Sequence, residues 1–225
     1  MKLLWSSRSP FARKAMIVLI EKGLADSVDL VSVAVMMAAP ANPDVLRHNP
    51  LCKIPVLVLD NGTALFDSRV ICEYLDQIGN GPSLVPKEFQ ARTACLRLQA
   101  LADGLTDILL LWRTELGRGS NANREMCGGF ESKIVASMAQ LELEVGAFAR
   151  HPLNLGQVSV ICALGQLDFR YPDCQWRDAH PALADWYADA QERASVRDTE
   201  IRNDGSAAMG SVDMPLKFSA LLSHV

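Results

Sequence analysis

The chain carries no excess of basic residues. Its 22 Lys and Arg face 26 Asp and Glu, a formal net charge of −4, so no basic face is expected to attract a nucleic-acid backbone. No apolar run approaches the roughly 20 residues that span a bilayer; the segment 158–164 is among the longest. The first residues, Leu3-Leu4-Trp5 and then polar ones, lack the apolar core of a signal peptide. We therefore expect a cytoplasmic protein with no membrane and no nucleic-acid partner. The six cysteines (52, 72, 95, 127, 162 and 174) include no CxxC pair, so reduced structural thiols are expected. The four histidines (48, 151, 180 and 224) are too far apart for ligand spacing, and no metal is expected. A glycine-rich phosphate loop and a nucleophile elbow are also missing.

What is present is enough apolar residue for a sizeable core. The composition is 49% hydrophobic and 21% charged over 225 residues, enough for one large domain or two small ones. Residues 2–5 read as a short strand. Pro10 fits a first helical turn, and positions 11, 15, 18 and 19 share one face of a helix over 11–22, with Gly23 as a stop. Residues 28–35 are β-branched and read as a strand, and 36–50 as a loop or irregular helix. Asn61-Gly62 between apolar runs at 56–59 and 64–66 predicts a hairpin. Ser68 is expected to cap a helix to Ile78. The resulting order, βαβ then ββα, is that of a thioredoxin-like fold.

Beyond Gly79 the pattern changes to helices alone. Leu98, Leu101, Leu105, Ile108 and Trp112 recur at helical spacing, as do Ile134, Met138, Leu141, Val145 and Phe148. Residues 117–129 are expected to break these two helices apart. Asn154 and Gln157 form a capping-box pair ahead of a helix apolar all round, which belongs at the centre of a bundle. Pro181 opens another helix to about residue 192. The expected organisation is an α/β thioredoxin-like domain over 1–79, a linker over 80–87, an all-helical bundle domain over 88–202, and a tail over 203–225 packed on the surface.

Three short segments carry candidate chemistry. Ser9 precedes Pro10 at a helix start, where unpaired N–H groups and a partial positive charge favour an anion. A hydroxyl there can donate to a thiolate. Lowering a thiol from its ordinary pKa of ~8.5 by two units takes about 2.7 kcal/mol, which is of the order of one charge-assisted hydrogen bond plus a helix dipole. Ser6 and Ser7 compete for this role. In the second segment, a cis Ile54-Pro55 bond would turn the N–H and C=O of Ile54 outward to pair with a peptide. In the third, Asp67 can hold an ammonium while Ser68, by its hydroxyl and amide, holds a carboxylate. Lys53 adds a charge for the far end of such a ligand.

Taken together, Ser9-Pro10-Phe11-Ala12-Arg13-Lys14, Asn49-Pro50-Leu51-Cys52-Lys53-Ile54-Pro55-Val56-Leu57 and Phe66-Asp67-Ser68 with Ile71-Cys72-Glu73-Tyr74-Leu75 resemble the cytosolic glutathione S-transferases, most closely bacterial serine-type members. In the second half, Ala163-Leu164-Gly165-Gln166-Leu167-Asp168-Phe169-Arg170 and Trp176-Arg177 through His180-Pro181 extend the resemblance to about residue 200. It implies a homodimeric transferase whose co-substrate is glutathione and whose second substrate is a small electrophile. Ser9 would hold the glutathione thiolate, Ile54 the cysteinyl backbone, Asp67 and Ser68 the γ-glutamyl end, and Lys53 the glycine carboxylate. The hydrophobic substrate would lie near the first long helix, with Asp103, Trp112 and Arg113 as candidates. Two departures stand out. Cys52 replaces a usual glycine, restricting the turn or placing a thiol beside glutathione, and Asp67 replaces a longer Glu or Gln. Two other readings follow from these residues: a glutathione carrier without turnover, and a thiol-disulfide oxidoreductase using Cys52.

Overall fold

The computed structural model describes residues 1–37 and 39–202; the tail expected over 203–225 lies outside the described residues. The described chain divides into two compact units, 1–92 with 194–202, and 93–193. The first contains β1 (Lys2–Trp5), α1 (Pro10–Glu21), β2 (Asp29–Ser32), α2 (Pro43–Leu46), β3 (Val56–Val58), β4 (Ala64–Leu65), α3 (Ser68–Ile78) and, returning from the far end, α9 (Ala194–Arg197). Its sheet runs β2-β1-β3-β4, with β1 and β2 parallel and the other pairs antiparallel. This is the expected thioredoxin-like order.

Alternation along the strands splits the apolar residues between two faces. Leu4 and Val56, paired across the ladder, join Val45 of α2 and Ile54 in one buried cluster. Leu3 and Leu57, also paired, point to the other face and are fully buried. The hairpin turns where Asn61-Gly62 predicts: Gly62 N–H donates to Leu59 C=O at 2.9 Å, and Gly62 has φ +84°.

A buried ion pair locks the end of this unit. Lys22 Nζ, just past α1, lies 3.1 Å from Asp76 Oδ1 of α3, with both side chains at 2% exposure or less. The Asp76 carboxylate also accepts from the N–H groups of Leu84 (2.8 Å) and Val85 (3.1 Å) and lies 2.9 Å from the Ser83 hydroxyl. Lys22 donates to Pro82 C=O at 3.0 Å. Burial pushes the Asp76 carboxyl up, but the hydrogen bonds from Leu84, Lys22, Ser83 and Val85 together hold it below its ordinary value. The segment expected as a linker is thus packed here, with Leu84 and Val85 buried.

The second unit holds α4 (Phe89–Leu116, which starts just before the division), α5 (Arg124–Phe148), α6 (Leu155–Arg170), α7 (Trp176–Ala179) and α8 (Pro181–Gln191). Every residue from 155 to 167 is buried, as the all-apolar pattern predicts for a central helix. Tyr171 stacks on Trp112 at 5.5 Å, and its hydroxyl donates to Leu109 C=O at 2.6 Å. Gly156 lets α6 approach α4: a Cβ there would lie 2.7 Å from Cys95 C=O.

Three expectations are corrected. Residues 117–129 do not break the helices throughout, because α5 already begins at Arg124. Asn123 caps it through the N–H groups of Glu125 and Met126, so Gly128 and Gly129 lie inside the helix. The capping box at α6 is half-formed: Asn154 accepts from Gln157 N–H at 3.2 Å, but the Gln157 amide donates to Phe148 C=O at 2.7 Å instead of returning to the cap. Finally, Asp67 and not Ser68 is the N-cap of α3, because the Asp67 carboxylate accepts from Arg69 N–H at 2.9 Å and Ser68 is the first helical residue. No helix among the described residues is long and apolar enough to cross a membrane.

Candidate functional site

Ser9 caps α1, its Oγ accepting from Ala12 N–H at 3.2 Å. A hydroxyl in this arrangement keeps its proton for another acceptor, and no acceptor is engaged among the described residues. The competing serines differ. Ser7 Oγ donates to Arg202 C=O at 3.3 Å, and Ser6 is buried with Arg8 N–H at 3.4 Å from its oxygen. Of the local basic cluster Arg8, Arg13 and Lys14, the last two are buried.

The Ile54-Pro55 bond is cis. The side chain of Ile54 sits in the core cluster, while its N–H and C=O have no hydrogen-bond partner among the described residues. A buried side chain with unpaired main-chain groups is what strand addition uses. The preceding turn is built by Asn49, which is buried. Its amide donates to Lys53 C=O at 2.9 Å and its carbonyl oxygen accepts from Leu51 N–H at 3.0 Å. The Lys53 side chain is exposed. Asn49 received no role from the sequence; an asparagine accepting from the amide two residues on is the Asx-turn signal that could have found it.

Cys52 has φ +49°, a left-handed conformation that favours glycine. This accounts for the usual glycine there and fixes the outcome of the departure. The cysteine adopts the turn, and its sulfur is engaged by the loop before α2: it accepts from Asn42 N–H at 3.2 Å and donates to Asn42 C=O at 3.7 Å.

Asp67 and Ser68 begin α3. Ser68 is buried, and neither its N–H nor its hydroxyl has a partner among the described residues. Asp67 is already paired: Arg69 Nη2 lies 2.9 Å from Oδ2, with both side chains half-exposed. Burial pushes the Asp67 carboxyl up, and the hydrogen bonds and charge of Arg69, with the charge of Lys14, hold it below the ordinary value. Arg69 was missed; an arginine two places after an acidic cap is its only signal.

Of the substrate candidates, Trp112 is 1% exposed and stacked on Tyr171, and Asp103 is also buried. Among the described residues no group of three or more His, Cys, Asp or Glu side chains gathers to hold a metal.

The fold defines the class: a thioredoxin-like unit with an all-helical second unit. Family models for the glutathione S-transferase N-terminal domain and C-terminal domain match residues 8–78 and 122–189. The "uncharacterized GST-like protein YibF" of Escherichia coli (strain K12) is 32% identical over 205 residues, 89% of this chain and 98% of that protein. A glutathione transferase family member from Pseudomonas fluorescens Pf-5, solved with bound glutathione, is 40% identical with a TM-score of 0.86, covering 90% of this chain and 99% of that one. A glutathione S-transferase from Methylobacillus flagellatus KT, also solved with glutathione, is 36% identical with a TM-score of 0.80, covering 89% and 99%. The chain belongs to the glutathione S-transferase family.

Proposed function

We propose that the chain is a serine-type glutathione transferase that activates the glutathione thiolate for attack on a small hydrophobic electrophile. The observation that carries this reading is Ser9 Oγ at the mouth of α1, accepting from Ala12 N–H and with no acceptor for its own proton among the described residues. In the proposed step the thiol proton leaves to solvent and the thiolate accepts from the Ser9 hydroxyl. The sulfur then forms a bond to an electrophilic carbon as the leaving group departs with its electron pair, or as an activated double bond takes up a proton. Ile54 would pair with the cysteinyl backbone, Ser68 with the γ-glutamyl carboxylate, Asp67 with its ammonium, and Lys53 with the glycine carboxylate. The electrophile would lie beside α4 near Asp103, Trp112 and Arg113. A role in detoxification, a cytoplasmic location and a homodimer belong to the same proposal. So do a thioredoxin-like domain over 1–79, a linker over 80–87 and a helical domain over 88–202, the last described residues of which pack with the first unit.

The oxidoreductase reading is less favoured, because the Cys52 thiol already serves as donor and acceptor to Asn42. The test is Ser9→Ala with a chloronitrobenzene-type substrate. Glutathione binding should be kept while turnover falls about ten- to a thousandfold, as expected on losing one thiolate hydrogen bond. Near-normal turnover in the variant would remove Ser9 from the reaction. Retention of the wild-type protein on immobilised glutathione without turnover of any electrophile would favour the carrier.

A further inference from the structure

Arg13 lies in the first turn of α1, its N–H donating to Ser9 C=O at 2.9 Å. The residue is 4% exposed. One guanidinium nitrogen, Nη2, donates to Val196 C=O of α9 at 3.1 Å, and Nε has no partner among the described residues. No carboxylate of the described residues lies within ion-pair distance of it. Elsewhere in the unit, Glu21 accepts from Ser195 Oγ of α9, and Asp67 pairs with Arg69. An arginine remains charged in any protein, so a positive charge with no carboxylate partner among the described residues sits out of water, one helical turn from Ser9. A buried charge is screened far less than an exposed one.

We propose that Arg13 is a positioning residue for the thiolate: held by the Val196 carbonyl of the returning α9 strap, it adds its uncompensated charge to the field at the start of α1. This rests on the reading of Ser9 given above. The strap supplies a carbonyl, which fixes the guanidinium without cancelling its charge as a carboxylate would. Ser7 and Ser195 tie the same returning segment to the first unit at two further points, through Arg202 C=O and Glu21.

The test is the pH dependence of thiolate absorbance in the glutathione-bound protein, together with the pH profile of kcat/KM, in wild type, Arg13→Gln and Arg13→Lys. Gln retains an N–H donor and removes the charge; Lys retains the charge. The expected result is a titration midpoint raised by about one unit in Arg13→Gln, near the size of a single-charge effect, and a midpoint close to wild type in Arg13→Lys. A Gln variant that loses thermal stability but titrates like wild type overturns the proposal. Should that variant fail to fold, the wild-type protein still decides. A midpoint that moves by more than about half a unit between low and high salt points to exposed charges and overturns the buried one; a steady midpoint supports it. A wild-type protein that binds no glutathione overturns the Ser9 reading and this inference together. A wild-type protein that binds and titrates normally, with Arg13→Gln unshifted, overturns only this inference.

Discussion

The two units of the chain are held together by different physics. The first closes around polar groups: a buried ion pair between Lys22 and Asp76, an asparagine that builds a turn, and a thiol tied to a loop. The second closes by packing, around a helix with thirteen consecutive buried residues from 155 to 167 and an aromatic stack. The first unit also leaves polar groups at Ile54 and Ser68 without partners among the described residues. The Asn49 amide, bonded to Lys53 C=O, holds the turn just before Ile54. The second unit has polar ties of its own, Asp168 accepting from Trp176 Nε1 and Arg177, but the packing of α6 dominates its interior.

This contrast is open to attack at three points. The largest effect is expected from Asp76→Asn, which leaves Lys22 buried without its counter-charge and should cost about 3–5 kcal/mol in denaturant unfolding. A loss under 1 kcal/mol would show that the first unit does not depend on the ion pair. Next is Gly156→Ala in the packed unit. Its methyl would meet Cys95 C=O and the Leu98 side chain, and overpacking of this kind costs about 1–3 kcal/mol; an unchanged melting temperature would mean that α4 and α6 separate freely. The smallest is a difference in acid response. Burial lowers the pKa of His180, with Glu142 opposing, so the folded state holds the neutral ring. The unfolded chain then binds more protons below the ordinary value of 6.5, and the stability due to His180 is lost as pH falls from there towards the folded pKa. Asp76, also lowered, contributes stability that is present above 3.8 and lost as pH falls below it. Fluorescence of the helical tryptophans, recorded in a Trp5→Phe background, should therefore respond at a higher pH than probes of the sheet, and His180→Gln should remove the early response.

The architecture was largely legible because it rests on local periodicity. The 3.6-residue pattern of α4 to α6 and the Asn61-Gly62 turn need no knowledge of distant residues. The break expected over 117–129 ends at Asn123, because one capping asparagine that satisfies two N–H groups outweighs two glycines inside the helix, each costing ~1 kcal/mol. The site was legible by type and order: Ser9, Ile54-Pro55 and Asp67-Ser68 announce helix starts and a proline turn. What was not legible is which partner each group already has. That Asp67 faces Arg69, that Cys52 faces Asn42 and that Arg13 faces Val196 depend on chain geometry, and the last spans 183 positions. A sequence displays donors and acceptors but not their pairing.

The returning α9 segment makes the first unit discontinuous. During synthesis residues 1–92 emerge well before residues 194–202 that complete them. At roughly 5–20 residues per second a ribosome spends several seconds or more on the intervening helices. The thioredoxin-like portion must therefore wait, with the α1 surface that α9 later covers still bare, until nearly all of the described chain has been made. Premature termination within the helical unit would release a product lacking the carbonyl that grips Arg13, with the α1 face that α9 covers left open.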